Sequence, residues 1–557
     1  MRLSILAFLP LLAGASPLSL KSKSDSNPLW YDQGLYGAYP TQEYVSFDLS
    51  SPRVNILQWN SKCDQSYTFL EPRGRSVADP GPMILDARGN LVYTEKKYGQ
   101  AMDLRVQRYK GEDFITFWAG NDDGTHGRGR YYMLDSSYEV RHVVGPANNL
   151  EGDLHEFQLT QNGTALMTIY EIIPADLSAM GGPKDGWIYD GLFQEIDVAT
   201  GDLIFQWRAS SHYHISDSFA PRKSKGKSHD DAWDYFHINS VDKDADGNYY
   251  ISSRYMHTIT CISPKGEVLW KLGGAASDFR DLSQGAASNF SWQHHVRWFQ
   301  GNQLTVFDNA AYDNNVATMP YSRGLLIQLD MEAMTATLIT DFVSPMHISA
   351  HSQGSVQRLN SGNYFVGWGH SAAYTEFTPQ GHVVCNVHFG ASSFFGWGWI
   401  KSYRTFKGAW VGRPNTLPAI ARKRNKVYVS WNGATEVKSW KLQGTDKVKG
   451  NFTDIDTIKK NGFEDAFSIT GTYGDFLRVA ALDSEGEVMA VSELMNAVTG
   501  QIVNHAYTPI QDSDVVPLQF LLVLLSLVTL AAAGYAVRKP ALGYANAIRL
   551  RFRRVHI

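Results

Sequence analysis

The sequence predicts an all-β protein whose main part is a β-propeller, and three observations support this fold class. No long segment outside the apolar termini has the apolar period of a helix. Short runs rich in Val, Ile, Tyr, Phe and Trp alternate with turns rich in Gly, Asn and Asp, as is typical of an all-β chain. The turns also recur as pairs of hairpins, which indicates four-stranded blades.

The repeat consists of two kinds of hairpin that follow each other along the chain. The first kind places Asn, Asp and Gly before a strand and occurs at residues 86–92, 160–166, 244–250 and 359–365. The second kind follows several of these and occurs at residues 200–207, 264–270 and 379–384. Units spaced by roughly 50 to 85 residues suit blades with large loop insertions. The spacing is irregular, and we favour six blades.

The pattern changes after Pro414. Strand-like runs within residues 427–442 are followed by residues 476–488, which resemble the last two strands of a fibronectin type III domain. We therefore predict a propeller over residues 27–412 and a small fibronectin- or immunoglobulin-like β-sandwich over residues 413–505.

The first residues of the chain have the layout of a cleavable signal peptide. Residues 1–16 contain one basic residue, then an apolar stretch, then a run of small residues. The apolar stretch is too short to span a bilayer. We therefore predict that the protein enters the secretory route.

The other end of the chain predicts a membrane anchor. Residues 515–537 are almost wholly apolar, and at about 1.5 Å per residue they can cross the roughly 30 Å core of a bilayer as a transmembrane helix. Residues 538–557 are basic and contain no acid, so the positive-inside rule makes this tail cytoplasmic. The prediction is a single-pass type I membrane protein with an extracellular or lumenal ectodomain. A glycosylphosphatidylinositol signal is the rival interpretation, but it would end in its apolar stretch.

Other features agree with this route or limit the partners. Three sequons are candidate glycosylation sites: Asn162, Asn289 and Asn451. The three cysteines allow at most one disulfide and leave one thiol free. The 51 Lys and Arg nearly balance the 55 Asp and Glu, and no basic stripe occurs outside the tail. Nucleic acid is therefore not an expected partner.

Histidines in three separate stretches are the candidate functional residues. His237 and Asn239 are two positions apart, so on a strand both side chains point to one face. Arg254 follows on the next strand of the same hairpin and can return beside them. His155 and His294 each precede a Gly-containing turn as well. The inner strand of a blade occupies this position, so we expect the three histidines to converge on the central channel.

At these residues the chain resembles a known family. Three motifs are similar to the signature of arylsulfate sulfotransferases: His237-Ile-Asn239 with Arg254, Trp292-Gln-His294, and Phe307-Asp-Asn. The fungal branch of this arylsulfotransferase-like family is the more similar one, and the resemblance extends from about residue 81 to residue 482. Bacterial members are six-bladed propellers. They transfer a sulfuryl group from a phenolic sulfate ester to a phenol through a sulfohistidine, without a nucleotide donor.

The resemblance implies roles for individual residues. His294 matches the nucleophile, and His155 matches a further active-site histidine that would protonate the departing phenolate. His237 and Arg254 match groups that stabilise the sulfuryl oxygens, and Asn239 matches a substrate-binding residue.

The tandem histidines leave one choice open. His295 and Arg297 are also assigned to substrate binding. On a strand, however, the side chains of His294 and His295 point to opposite faces. Only one of the two can therefore face the channel.

The predicted function is sulfuryl transfer between a small aromatic sulfate ester and a phenol, with no cofactor and no metal. Attack on sulfur needs a neutral imidazole, and a neighbouring Arg and other histidines disfavour the protonated form. Two alternatives stay open. The histidines ligate a metal ion in a hydrolase, or the propeller is a non-catalytic module that binds a partner.

Overall fold

The computed structural model describes residues 27–471 and 473–503, which form an almost purely β structure, as predicted. One short helix, α1 (Pro28–Asp32), is capped by the Asn27 side chain. Short 3₁₀ helices occupy Ser178–Met180, Ala209–Ser211, Ile215–Asp217, His229–Asp231 and Ser392–Trp397. None of the helices in these described ranges is long and apolar enough to cross a membrane. The predicted signal peptide, membrane span and basic tail lie outside the described residues.

The strands of the first half of the chain are β1 (Thr41–Gln42), β2 (Ser51–Pro52), β3 (Asn55–Trp59), β4 (Tyr67–Leu70), β5 (Met83–Leu85), β6 (Leu91–Thr94), β7 (Ala101–Tyr109), β8 (Glu112–Asp122), β9 (Gly127–Leu134), β10 (Val140–Val144), β11 (Phe157–Leu159), β12 (Thr164–Ala175), β13 (Gly186–Asp197), β14 (Leu203–Arg208), β15 (Trp233–Asp234), β16 (Ile238–Lys243), β17 (Tyr249–Ser253), β18 (Thr258–Ile262) and β19 (Val268–Gly273). Those of the second half are β20 (Arg280–Asp281), β21 (His294–Phe299), β22 (Gln303–Asp308), β23 (Arg323–Asp330), β24 (Thr335–Val343), β25 (Ser355–Arg358), β26 (Tyr364–Gly367), β27 (Ala373–Phe377), β28 (Val383–His388), β29 (Thr405–Gly408), β30 (Ala419–Lys423), β31 (Lys426–Ser430), β32 (Ser439–Thr445), β33 (Thr453–Lys459), β34 (Glu464–Ser468), β35 (Phe476–Leu482), β36 (Val488–Val491), β37 (Leu494–Asn496) and β38 (Ile502–Val503).

Six antiparallel sheets form the body of the described structure. Five of them are built from four successive strands each: β7–β10, β11–β14, β16–β19, β21–β24 and β25–β28. The sixth sheet has the order β29-β4-β5-β6, so a strand from late in the chain completes a sheet that begins near the N-terminus. Extra strands extend three sheets: β15 pairs with β13, β20 with β24, and β3 with β28.

The six sheets close into a ring. We call β7, β11, β16, β21, β25 and β29 the inner strands. Each inner strand contacts a neighbouring sheet, and β29 contacts both β25 and β7. Buried apolar side chains fill the space between adjacent sheets, among them Trp118 and Trp368. This arrangement is propeller-like, as the hairpin pairs predicted.

The predicted hairpins are present, and glycine is required in their turns. Gly163, Gly247 and Gly362 have φ values of 78°, 87° and 88°, in the left-handed region that glycine adopts most readily. These turns connect the first and second strands of their sheets. The turn at Asp86–Asn90 instead connects β5 and β6, because β29 supplies the inner strand of that sheet. The closing strand therefore accounts for part of the irregular spacing of the repeat.

The inner strands are irregular near their first residues. Register shifts occur in β7, β16 and β21, where these strands pair with their neighbours. Asp103, His237 and His295 have φ values of 60°, 55° and 54° at these places. Left-handed backbone at non-glycine residues is uncommon and costs about 1 kcal/mol or more, so the surrounding structure must hold it. Bulges of this kind redirect side chains, and they are frequent beside functional sites.

Residues 419–503 form two further sheets rather than another blade. One sheet has the order β30-β31-β34, and the other contains β33, β32, β35, β36 and β37. Residues from both sheets share one apolar core, in which Val427, Trp440 and Val479 are completely buried. The two sheets therefore pack as a small sandwich. Its classification as a fibronectin- or immunoglobulin-like domain stays a prediction.

The sandwich is attached directly to the ring of sheets. The Glu464 carboxylate accepts hydrogen bonds from the backbone amides of Val45 and Ser46 at 2.7 and 2.6 Å. On another side, the Tyr138 hydroxyl donates to the carbonyl of Gly433 at 2.7 Å. The described residues from Asn27 to Ile502 consequently form one compact unit.

One disulfide closes a long loop. Cys63 follows β3 and is bonded to Cys385 in β28, 322 positions later in the sequence. Cys261 is a free, buried thiol. The pairing agrees with the expectation of one disulfide at most, and it fastens the added strand β3 to its sheet.

We expect Cys385→Ser to lower the free energy of unfolding by about 2–5 kcal/mol, because the disulfide restricts the unfolded chain. Denaturant unfolding of the full chain without reductant measures this effect. Cys261→Ala is the matched control, since it removes a cysteine and keeps the bridge. Thiol titration of the unfolded wild type should detect one thiol before reduction and three after it. Three thiols before reduction would contradict the pairing.

Candidate active site

One end of the channel holds a cavity of about 310 Å³. The residues that line it come from the beginnings of several inner strands or from just before them. Those with polar or aromatic groups include His155, His237, Arg254, Tyr255, His294, Tyr312, Gln353 and Tyr403. The structure thus brings together the three histidines and the arginine that the sequence places in separate stretches. The rings of His155 and His237 are 4.8 Å apart between centroids.

His294 is the first residue of β21, and its ring is held by a neutral partner. Its Nδ1 lies 2.6 Å from Oδ1 of Asn309. The Asn309 amide nitrogen donates to the carbonyls of Ala350 and Gln353 at 2.8 and 3.0 Å, so its oxygen must face His294 as an acceptor. His294 therefore carries its proton on Nδ1, and Nε2 has a lone pair.

The second nitrogen of His294 is available for chemistry. Nε2 accepts one hydrogen bond, from the backbone N–H of Gln353 at 3.2 Å. Burial and the charge of Arg254 hold the pKa of His294 well below its usual value, and the Asn309 hydrogen bond only partly opposes them. The imidazole is consequently neutral at physiological pH, as a nitrogen nucleophile must be.

His155 and His237 differ from His294 because each is paired with a carboxylate. His155 Nδ1 is hydrogen-bonded to Asp153, and His237 Nδ1 is hydrogen-bonded to Asp234. Burial opposes ionisation of Asp153, but His155 and other donors lower its pKa overall. Burial lowers the pKa of His237 to about 4, although Asp234 opposes this shift. In both histidines Nε2 is the nitrogen left for the cavity.

A fourth histidine, His126, shares the carboxylate partner of His237. His126 Nε2 lies 2.9 Å from the Asp234 carboxylate that also binds His237. Burial would lower the pKa of His126, but its hydrogen bonds to Asp123 and Asp234 raise it to about 9. His126 is therefore a cation at neutral pH and balances the charge of Asp234.

Arg254 is a buried cation without an ion-pair partner among the described residues. It is 5% exposed, and its recorded acceptor is the carbonyl of His351 at 2.8 Å. Its Nε has no hydrogen-bond partner. The rings of Tyr255 and Tyr312 lie 5.0 and 5.2 Å from the guanidinium. A buried charge normally has a counter-ion, so this cavity is suited to an anionic ligand.

Tyr403 completes the cavity wall and was not predicted from the sequence. Its ring lies 5.6 Å from that of His155 and 6.5 Å from that of His294. Its hydroxyl is buried and has no hydrogen-bond partner in the described structure. Asn309, Gln353 and Asp153 were also missed as site residues. The Phe307-Asp-Asn motif does contain Asn309, but only the fold brings it to His294.

A network of buried charges lies behind the cavity. Glu156, the neighbour of His155, accepts hydrogen bonds from Arg105, Arg297 and Arg404 at 2.7, 2.8 and 3.0 Å. Arg404 also donates to Asp103 at 2.7 Å and to the carbonyl of Asn239 at 3.0 Å. Despite burial, the three arginines keep the pKa of Glu156 low.

Three predicted substrate-binding residues are not among those that line this cavity. Asn239 is completely buried and donates to the carbonyl of Gln293 at 2.7 Å. The strand alternation that placed it beside His237 fails, because His237 has left-handed backbone and the register shifts between Ile238 and Ser240. Asn239 instead holds the residue before His294.

His295 and Arg297 line a different cavity. The expectation that only one of the tandem histidines faces the channel is wrong in this form, because His294 lines the cavity at one end and His295 the cavity at the other. His295 has left-handed backbone. Its Nδ1 accepts a hydrogen bond from the backbone N–H of Val356 at 3.2 Å.

One group of side chains has the proximity of a metal site. The ligand atoms of His126, Asp234 and His237 lie within 4.8 Å of one another. However, the Asp234 carboxylate already binds both rings, and the pKa of His126 is raised to about 9, so a metal ion would have to displace these hydrogen bonds and a proton. These residues therefore fit a hydrogen-bonded cluster better than a metal centre.

The sequence relationship agrees with this geometry. Residues 105–390, just over half of the chain, match the family model described as Arylsulfotransferase (ASST). The chain belongs to the arylsulfotransferase family. The matched region includes His155, His237, Arg254 and His294. Membership supports an arylsulfate sulfotransferase-like activity in general, and it does not distinguish a fungal branch. No curated protein matches the chain.

The solved structures that match this arylsulfotransferase have low sequence identity and low structural similarity to it. A Bacteroides caccae protein of unknown function has 11% identity and a TM-score of 0.36, over 61% of this chain and 98% of its own. Virginiamycin B lyase from Staphylococcus aureus has 10% identity and a TM-score of 0.27, over 74% and 96%. Regucalcin from Agrobacterium tumefaciens has 12% identity and a TM-score of 0.30, over 60% and 82%.

The tautomer of His294 can be tested without an assay of activity. With ¹⁵N-labelled histidine, we expect the Nδ1–H form of His294 at pH 7 and no titration between pH 5 and 8, because its pKa is lowered. In Asn309→Asp, a carboxylate replaces the amide oxygen and should stabilise the imidazolium, which raises the pKa. The variant should then protonate as the pH falls through this raised value. Assignment by loss of the signal in His294→Ala is the control, and titration of wild-type His294 near pH 6.5 would contradict the assignment.

Proposed function

We propose that the protein transfers a sulfuryl group from an aryl sulfate ester to a phenol, through a covalent intermediate on Nε2 of His294. The observation that supports this most directly is the juxtaposition of two groups in one cavity. His294 is a neutral imidazole with an oriented lone pair, and Arg254 is a buried cation with no counter-ion in the described structure. A nucleophile beside a cation that no carboxylate neutralises is what attack on a sulfate ester requires.

In the first half-reaction, the Nε2 lone pair of His294 attacks sulfur as the bond from sulfur to the aryl oxygen breaks. The aryl oxygen leaves with the bonding electron pair and takes a proton from Nε2 of His155. Nδ1 of His294 keeps its proton and its hydrogen bond to Asn309 throughout. The Asp153 carboxylate beside His155 stabilises the cationic ring that donates the proton.

The second half-reaction reverses these steps with the acceptor. The phenol oxygen attacks sulfur and gives its proton to His155, while the nitrogen–sulfur bond breaks and its electron pair returns to Nε2. No water or nucleotide is needed for the balance. The amide of Gln353, which binds Nε2 in the free protein, becomes a donor for a sulfuryl oxygen once Nε2 binds sulfur.

The aromatic part of the substrate has suitable surfaces in the same cavity. Tyr255, Tyr312 and Tyr403 all line it, and each offers a ring face or edge. Arg254 lies against the first two rings, so a sulfate at the guanidinium places its aryl group beside them.

A metal-dependent hydrolase is the second candidate, supported by the carboxylate-paired histidines. Hydrogen bonds from ligating histidines to carboxylates are usual around zinc. Arg254 opposes this interpretation, because its unpaired positive charge in the same cavity repels a divalent cation.

We further propose that the protein is a single-pass type I membrane protein with a glycosylated ectodomain. The basis is the signal-peptide layout of residues 1–16 and the apolar segment 515–537 with its basic tail. Three sequon residues are exposed and accessible to glycosylation: Asn162, Asn289 and Asn451.

His294→Ala should abolish transfer from a chromogenic aryl sulfate to a phenol, because it removes the lone pair of the proposed nucleophile. Wild type quenched after reaction with donor alone should carry one sulfuryl group on the peptide that contains His294. Mass spectrometry of the digest measures this. His229→Ala, at an exposed histidine outside the cavity, is the matched control. A sulfuryl group on another residue would refute the proposed intermediate.

In the same assay, Arg254→Ala should lower the rate by roughly two to three orders of magnitude, the usual effect of removing a charge-stabilising donor. Arg413→Ala, at an exposed arginine, is its control. Activity that requires added zinc and survives Arg254→Ala would favour the hydrolase. Binding without turnover by an intact wild type would favour the binding module.

Membrane anchoring is tested with the full chain expressed in a secretory host. Alkaline carbonate should leave it in the membrane, and removal of N-linked glycans should increase its gel mobility. Truncation before Val515 should release a soluble secreted protein, because the apolar segment is the proposed anchor. Retention of the truncated chain in the membrane would contradict the anchor.

A further inference from the structure

The opposite end of the channel holds a second and larger cavity, of about 470 Å³. Its lining residues are at the ends of the inner strands rather than at their beginnings, as in β7, β16, β21, β25 and β29. Glu156 and its arginines separate this cavity from the catalytic one. Nothing in the proposed reaction uses the second cavity.

Positive charge dominates the lining of this cavity. Its basic residues are Arg105, Arg108, Arg297, Arg358 and Lys407. Among the described residues that line it, Asp242 is the only acid, and burial raises the pKa of its carboxyl. The Asp242 carboxylate is also occupied by the backbone amides of Lys243 and Trp298.

Several of these cations have N–H donors without a partner or lack an ion pair in the described structure. Arg108 and Arg358 are exposed at the edge of the cavity and have no ion pair in the described part of the chain. Arg105 shares Glu156 with two other arginines and Asp103 with Arg404, and its Nε has no partner in the described structure. The three arginines of this network therefore exceed the two carboxylates with which they pair, Glu156 and Asp103, by one positive charge.

His295 provides an independent observation, a buried donor that faces the cavity. It is 2% exposed and lines the cavity. Its Nδ1 accepts from the backbone N–H of Val356 at 3.2 Å, so the proton lies on Nε2. That N–H has no acceptor in the described structure. A buried donor without a partner costs free energy, and an anion in the cavity would accept its hydrogen bond.

We propose that the second cavity binds a sulfate or phosphate group, held by the arginines and by Nε2–H of His295. Tetrahedral oxyanions match the planar donor pairs of arginine. The volume exceeds that of a single oxyanion, and Trp298 and Phe406 lie in the lining. An organic group attached to the oxyanion therefore has apolar surface against which to pack. This proposal is independent of the sulfuryl transfer at His294.

Calorimetric titration of the full-length protein at low ionic strength tests the proposal, with sodium sulfate, sodium phosphate and phenyl phosphate as probes. The Arg254→Ala variant is the background, since it removes the anion site of the catalytic cavity. We expect one oxyanion to bind in this background. Adding Arg108→Ala and Arg358→Ala should weaken binding at least tenfold, and both positions are exposed, so the fold should tolerate the changes. Adding Arg413→Ala instead should leave the affinity unchanged.

A second variant tests the buried donor. Adding His295→Phe to the same background keeps an aromatic ring and removes the Nε2–H donor, so it should weaken binding severalfold. Tighter binding of phenyl phosphate than of inorganic phosphate would identify a monoester as the ligand, and the reverse order would identify a free ion. The proposal is overturned if Arg254→Ala abolishes all oxyanion binding, or if the Arg108 and Arg358 substitutions leave the affinity unchanged. Its failure would leave the His294 assay unaffected.

Discussion

The buried pairing of Arg404 with Glu156 and Asp103 is the interaction on which the rest of the structure depends. Arg404 precedes the closing strand β29, while Asp103 and Glu156 belong to the next two sheets of the ring. Arg404 also reaches the carbonyl of Asn239 in a third sheet. Breaking a buried pair of this kind costs about 3–5 kcal/mol, because the partner charge stays buried. The network therefore links the sheet closed by β29 to the sheets that follow it in the ring, and it fixes the position of His155, which is next to Glu156 in sequence.

The same network divides the channel into two chemically different ends. The inner strands begin at one end and finish at the other, so residues a few positions apart in sequence reach opposite cavities. His294 and His295 are the clearest case: one faces Arg254, and the other faces Arg297. The bulge at His295 allows both side chains to be buried while each keeps a different set of partners.

Within the catalytic end, hydrogen-bond partners distinguish histidines that look alike in the sequence. A neutral amide orients His294 and leaves its other nitrogen as a base, whereas a carboxylate orients His155 and stabilises its cation. The proposed nucleophile and the proposed acid therefore differ in the partner that holds Nδ1. The charge of Arg254 opposes protonation of His294, and in the proposed reaction it also binds the sulfate.

The sequence by itself determined the all-β class, the glycine turns and the names of four cavity residues, because period, turn chemistry and motifs are local. It could not determine the faces of Asn239 and His295, since left-handed backbone near these positions breaks the alternation of an ideal strand. Nor did it indicate Tyr403, which lies two residues before the closing strand β29 and lines the cavity that contains His294. Only the tertiary structure decided these points, because bulges and partners depend on packing between sheets that are distant in sequence.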